Sequence, residues 1–179
     1  EYLEHARKAA ARAGVSLGAR DHRAVGEAQL RLGMLDESLA SFEEALECST
    51  DPKERATLLG RLAWVYQTRA EPTRASEMLE RAFQTLDVRM PNGSLASAAR
   101  TALSVAGATA RRYVDRARGR PNRAEIELLS GLHYQNARLG LEYGEPLRLV
   151  QSSAQALELR KQGASPRATA RARAIHAFV

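Results

Sequence analysis

The sequence contains little cysteine, few aromatic side chains and no long apolar run. Cys48 is the only cysteine among the 179 residues, which excludes an internal disulfide and a metal site built on several thiolates. We therefore expect a reducing, cytoplasmic environment. No stretch approaches the roughly 18 uninterrupted apolar residues of a membrane span, so we expect no membrane partner.

Good helix formers make up most of the chain. Alanine, leucine, glutamate and arginine dominate, and β-branched residues are sparse. Hydrophobic residues account for 44% of the chain and aromatic residues for only 5%, so small side chains must fill much of the core. Close helix packing suits such a core better than a wide β-sandwich does. The composition therefore predicts an all-α protein.

Residues 22–52 contain the first complete pair of predicted helices. One helix runs from about His22 to Leu32, and Gly33 ends it. A second helix begins after Leu35, with Asp36 as its predicted N-cap. Apolar residues recur at spacings of three and four on one face of this second helix, namely Leu39, Phe42, Ala45 and Leu46.

Residues 54–87 have the same plan. A helix is predicted from Glu54 to Arg69, and Pro72 lies near the first position of the next helix, where its missing N–H does no harm. The predicted core positions are Leu58, Leu62, Val65 and Tyr66 in the first helix and Ala75, Leu79, Ala82 and Leu86 in the second.

The order of small and large residues in these two pairs resembles the tetratricopeptide (TPR) repeat. The matching positions are Gly26, Phe42 and Ala45 in the first pair and Leu62, Ala63, Tyr66, Ala75 and Ala82 in the second. Ala45 and Ala82 lie 37 residues apart, against a usual period of about 34. The resemblance implies an α-solenoid, in which antiparallel hairpins stack as a right-handed superhelix and the first (A) helices line a concave groove.

The remaining segments are assigned to less regular repeats of a single helical-repeat domain, residues 1–179. These are a half repeat at 1–14, a degenerate or inserted repeat at 88–122, a repeat at 124–162 and the start of a truncated repeat at 166–179. Ser165 is the predicted cap of the last helix. Because both ends of the chain lie within helical patterns, we expect a fragment of a larger protein.

Two longer segments extend the resemblance. LDVRMPNGS, followed by an Arg-rich helix, and LSGLHYQNARLGLEYGEPLRLVQSSAQALELRKQGASP are similar to the helical-repeat region of large bacterial multidomain signalling ATPases. Proteins of that kind join an ATPase module to a kinase, a nucleotide cyclase or a DNA-binding transcription regulator. The resemblance implies a regulatory role in signal transduction, with neighbouring domains of the same chain among its partners.

No pattern in the sequence predicts a catalytic, cofactor-binding or metal site. A P-loop and a Gly-rich dinucleotide fingerprint are both missing. The four histidines, at positions 5, 22, 133 and 176, lack the spacing of metal ligands. We therefore predict no catalytic residue, no cofactor and no metal, and we do not expect an enzyme.

The candidate partner-binding residues are of two kinds. Those on the A helices, which would face a protein or peptide in the groove, are Arg23, Glu27, Arg31, Arg61, Trp64 and Gln67. The second kind is an arginine cluster containing Arg111, Arg112 and Arg116. Residues 1–90 carry 13 basic and 15 acidic side chains, whereas residues 91–179 carry 14 and 6, so the cluster lies in a strongly basic half.

The arginine cluster has three interpretations: a solvated surface, a contact for an acidic protein or neighbouring domain, and a nucleic-acid contact. The third is the least favoured, because Tyr113 is its one aromatic neighbour and single-strand binders interleave several stacking groups.

For the chain as a whole we expect a protein–protein interaction scaffold or regulatory module. The alternative is a domain that senses a small molecule between its repeats and controls an attached ATPase or output domain.

Overall fold

The computed structural model describes residue 12 and residues 17–90, 122–161 and 165–177. Within these residues the secondary structure is entirely helical, with no strand. The chain divides into two compact units, Glu1–Asp87 and Val88–Val179. This division falls where the balance of charge along the sequence changes from slightly acidic to strongly basic.

The first unit contains four described helices. These are α1 (Ala19–Arg31), α2 (Leu35–Cys48), α3 (Pro52–Thr68) and α4 (Pro72–Thr85). Helices α1 and α2 pack against each other as one hairpin, α3 and α4 form the next, and α2 also contacts α3. The predicted helices are thus confirmed, with ends that differ by one to three residues.

The core of the first unit is formed by the predicted apolar positions. In α2 the four predicted residues, Leu39, Phe42, Ala45 and Leu46, are all buried. In α3 and α4 the predicted residues are buried as well, except that Leu86 is half-buried. Burial of large apolar side chains contributes roughly 25 cal/mol per Å², so these helices are stabilised mainly by packing against one another.

Gly26 permits the close approach of α1 and α2. A Cβ atom at this position would lie 2.8 Å from two ring atoms of Phe42, a side chain that is fully buried. The glycine that the sequence pattern aligns with the small TPR position therefore makes room for an aromatic ring on the partner helix.

Three inter-helix turns share one geometry. The residue in the left-handed region is Gly33 (φ 76°), Ala70 (φ 58°) and Gly144 (φ 70°), at intervals of 37 and 74 residues. In each turn the next residue donates its N–H to the carbonyl five residues earlier, at 3.0, 2.9 and 2.7 Å respectively. This is the Schellman arrangement, which satisfies carbonyls at the end of a helix.

The ends of the helices are held by side chains from different parts of the unit. Asp51 caps α3 by accepting from the Glu54 N–H at 2.9 Å, and Pro72 occupies the first turn of α4 as predicted. Arg55 donates to the carbonyls of Leu46 and Ser49, both at 2.9 Å, and so satisfies the carboxyl end of α2.

The prediction that Asp36 caps α2 is wrong. The N-cap is Met34, and Asp36 lies inside the first helical turn. Its carboxylate forms an ion pair with Arg69, which also contacts Glu71 at 2.7 Å. Asp36 therefore connects the turns of two successive hairpins.

The second unit contains three described helices, α5 (Arg123–Glu142), α6 (Pro146–Lys161) and α7 (Pro166–His176). All three contact one another, and Ala137, Leu149 and Ile175 form a small apolar cluster against which Tyr134 packs. The predicted Ser165 cap is confirmed, since its Oγ accepts from the Ala168 N–H at 3.2 Å.

Several predicted segments lie outside the described residues. The half repeat at 1–14 is outside except for residue 12, and residues 91–121 of the degenerate repeat are outside as well.

Candidate functional site

One side of α1 packs against α2. Val25 and Gly26 are buried there, Ser41 donates to Gln29 Oε1 at 2.7 Å, and His22 Nδ1 lies 2.8 Å from a Glu44 carboxylate oxygen. These contacts fix the rotation of α1 about its axis, and they decide which side chains point away from the hairpin.

The opposite side of α1 carries charge. Residues spaced three and four apart share a helix face, and this spacing places Arg20, Arg23, Glu27 and Arg31 in one row. Arg20 and Arg31 are exposed, while Arg23 and Glu27 are half-buried. Arg20 was missed by the sequence analysis because the predicted helix began at His22, two residues after it.

Helix α3 contributes a second row next to the first. Most of α3 is buried, and the side chains left at its surface by the same spacing include Thr57, Arg61, Trp64 and Thr68. Arg61 and Trp64 are half-buried, and Thr68 donates its hydroxyl to the Trp64 carbonyl at 2.9 Å.

An ion pair joins the two rows. Arg61 Nε lies 2.6 Å from Glu27 Oε1, and both side chains keep part of their surface in contact with solvent. Exposed pairs of this kind are worth only about 0–1 kcal/mol, so its main effect is to fix the two side chains side by side. The eight residues of the two rows are called the α1–α3 face below.

Two of the sequence-predicted binding residues, Glu27 and Arg61, are thus in direct contact, and Trp64 lies one turn beyond Arg61. Gln67 is placed differently, because its side chain is only 5% exposed. It therefore offers almost no surface to a partner. Arg111, Arg112 and Arg116 lie outside the described residues.

The second unit has a polar interior in place of an apolar one along part of α5 and α6. Asn136 Nδ2 donates to Ser152 Oγ at 2.7 Å between the two helices, and both residues are fully buried. His133, also on α5, is buried, and burial lowers its pKa from 6.5 to about 4. Its imidazole is therefore neutral at pH 7. The contact between Asn136 and Ser152 had no sequence signal, because the two residues lie on different helices.

The side chains that could bind a metal ion are dispersed in the part of the chain that the structure describes. The described ranges contain no group of three or more histidine, cysteine, aspartate or glutamate side chains arranged to hold a metal ion. Cys48 ends α2 and is exposed.

Comparison of the chain with protein-family models, with curated proteins and with solved structures gave no match. In the part of the chain that the structure describes, no helix is both long enough and apolar enough to cross a membrane.

Proposed function

We propose that this chain is a protein–protein interaction scaffold or regulatory module of a cytoplasmic bacterial signalling protein, built as a TPR-like α-solenoid. The repeated turn geometry at intervals of 37 and 74 residues supports a repeat architecture. In such an architecture α1 and α3 are the A helices of the two successive hairpins of the first unit, and their outer faces form a binding wall.

The contact between Glu27 and Arg61 is the observation on which the proposal depends. It joins neighbouring A helices at their surface, at 2.6 Å, and it aligns two rows of side chains that the core does not require. A half-buried tryptophan at position 64 stands beside these charges. Tryptophan and arginine are enriched among the residues that dominate binding energy at protein interfaces.

The proposed activity is binding without bond chemistry. A partner would gain affinity from the aromatic surface of Trp64 and specificity from the arrangement of arginines around it. Such an interface acts by holding one polypeptide near another. In a signalling protein, bringing the two polypeptides together is the step that regulates signalling.

Affinity capture with two matched triple variants tests the proposal. The first variant, Arg23→Ala/Arg61→Ala/Trp64→Ala, removes side chains of the α1–α3 face. The second, Glu80→Ala/Arg81→Ala/Gln84→Ala, changes exposed positions on α4. Tagged chains are incubated with lysate of the source organism, and retained proteins are quantified by mass spectrometry.

We expect a defined protein to be retained by the unmodified chain and by the α4 variant and to be lost, about tenfold or more, from the α1–α3 variant, which corresponds to about 1.4 kcal/mol. Equal retention by all three chains would show that the α1–α3 face is not the binding surface.

A further inference from the structure

The α1–α3 face of the first unit has an excess of positive charge, whereas the rest of the unit has an excess of negative charge. The α1–α3 face contains four arginines and one glutamate, whereas the rest of residues 17–87 contains five basic and twelve acidic side chains. A basic face on an otherwise acidic unit is not explained by the overall composition of the chain. The charge of this face therefore indicates the charge of a molecule that it could bind.

No carboxylate among the described residues neutralises the charge of the arginines on α1. Glu27 is engaged by Arg61, and among the described residues Arg20, Arg23 and Arg31 form no ion pair. Arg74 on α4 differs in this respect, since it is paired with Glu71 at 3.1 Å.

The row formed by these arginines has a definite length. Arg20 and Arg31 are eleven residues apart on α1, which at about 1.5 Å per residue gives a row of about 16 Å. A segment of about five extended residues, or about three turns of helix, has the same length. The dimensions therefore suit a short polypeptide segment.

Resting on the proposed docking function, we infer that the α1–α3 face binds an acidic polypeptide segment. Its carboxylates pair with Arg20, Arg23 and Arg31, and an apolar side chain of the segment packs on Trp64. Opposite charge on the two partners steers their encounter and excludes basic competitors. Because Arg20 and Arg31 are exposed, this attraction must weaken as salt is added.

The inference is tested by fluorescence anisotropy with the full 179-residue chain and a labelled peptide of four Glu-Glu-Leu triplets. A peptide of four Lys-Lys-Leu triplets serves as the probe of opposite charge. Two charge-reversal variants are compared, Arg20→Glu/Arg31→Glu on the α1–α3 face and Arg81→Glu/Arg89→Glu at two positions that are not part of that face. All four positions are exposed, and both variants change the net charge by the same amount.

We expect the acidic peptide to bind, the basic peptide not to bind, and the affinity for the acidic peptide to fall between 50 and 300 mM salt as surface charges are screened. Arg20→Glu/Arg31→Glu should weaken binding about tenfold, while Arg81→Glu/Arg89→Glu should change it less than about twofold. Equal effects of the two variants, or no effect of either, would overturn the inference. Circular dichroism of each variant checks that the helices are intact, and Arg20→Gln/Arg31→Gln provides a milder pair with the same expected direction.

The proposed docking function and the acidic partner can fail separately. If the triple alanine variant loses its captured protein while Arg20→Glu/Arg31→Glu leaves peptide affinity unchanged, docking on this face stands and the acidic partner is refuted. If the triple variant loses nothing, the docking function itself fails.

Discussion

Two glycines of α5 should respond in opposite directions to the same substitution. A Cβ atom at Gly140 would lie 2.6 Å from the backbone nitrogen of Leu149 and 2.9 Å from the backbone carbonyl oxygen of Glu145. A Cβ atom at Gly131 would meet no atom within 4 Å. Both glycines lie within α5, so Gly140→Ala and Gly131→Ala share their effect on helix propensity.

The magnitudes follow from two terms. Replacing glycine by alanine inside a helix gains about 1 kcal/mol of stability, because the unfolded chain loses conformational freedom. At Gly131 this is the whole effect. At Gly140 the new methyl group meets backbone atoms that no rotamer change can move, and overpacking of this kind costs about 1–3 kcal/mol or more. It would also strain the turn in which the Glu145 N–H donates to the Gly140 carbonyl at 2.7 Å.

We therefore expect Gly140→Ala to lose about 2 kcal/mol and Gly131→Ala to gain about 1 kcal/mol in the free energy of unfolding. For a unit of this size, each kcal/mol corresponds to a shift of about 4–8 °C in melting temperature, so the two variants should differ by more than about 10 °C. Thermal unfolding by circular dichroism measures this, and hydrogen exchange of peptides from residues 123–161 assigns it to the second unit. A Gly140→Ala chain as stable as Gly131→Ala would refute the close approach of α5 and α6.

Substitutions at three further sites test local packing and electrostatics. Gly26→Ala should cost about 1–3 kcal/mol, because its Cβ would lie 2.8 Å from the Phe42 ring. Phe42→Leu in the same chain should recover part of that loss in a double-mutant cycle measured by urea unfolding. Ala70→Gly should stabilise the first unit by about 0.5–1 kcal/mol, because Ala70 has a φ of 58° that L-residues adopt at a cost. A lower melting temperature would contradict this. His133 is neutral in the folded state down to a pKa of about 4, whereas the unfolded chain takes up a proton below 6.5. Stability should therefore fall as the pH drops through this window. Between pH 7 and pH 5 the chain should lose about 2 kcal/mol more than His133→Gln does, and parallel pH profiles would be inconsistent with a buried neutral imidazole.

Local patterns predicted most of the helical architecture. The apolar spacing in α2 and the proline at position 72 identified elements that the structure contains, and Ser165 caps α7 as expected. These features depend on residues within one helical turn of one another. Sequence is informative at that range, because the spacing of side chains along a helix fixes which of them share a face.

Contacts between distant residues were not predictable in the same way. Asp36 looked like a helix cap because its chemistry suits one, but its carboxylate is paired with Arg69, 33 residues later. Gln67 looked like a surface residue of an A helix and is buried. For Asp36 the outcome depends on a residue of the neighbouring hairpin. The α1–α3 face was predicted in composition, through Glu27 and Arg61, but their contact was not.

Positions spaced by the same intervals as the turns show which residues are needed for packing and which are free to vary. Gly26, Ala63 and Ala137, which are spaced by the 37- and 74-residue intervals of the turns, are all small and buried, since each lies where two helices meet. One position further along each helix stand Glu27, Trp64 and Arg138 instead.

These three outer residues differ chemically, although each lies six residues before the left-handed residue of its turn. Arg138 is engaged within its own helix by Glu142 at 2.5 Å, whereas Glu27 reaches across to α3. Packing therefore accounts for the inner positions and leaves the outer ones free to differ between hairpins. A binding specificity encoded by this chain would have to lie in those outer positions. In the first unit Trp64 lies beside the row of arginines on α1 that no described carboxylate neutralises, which is why the proposed docking is assigned to the α1–α3 face and not to the acidic surface around it.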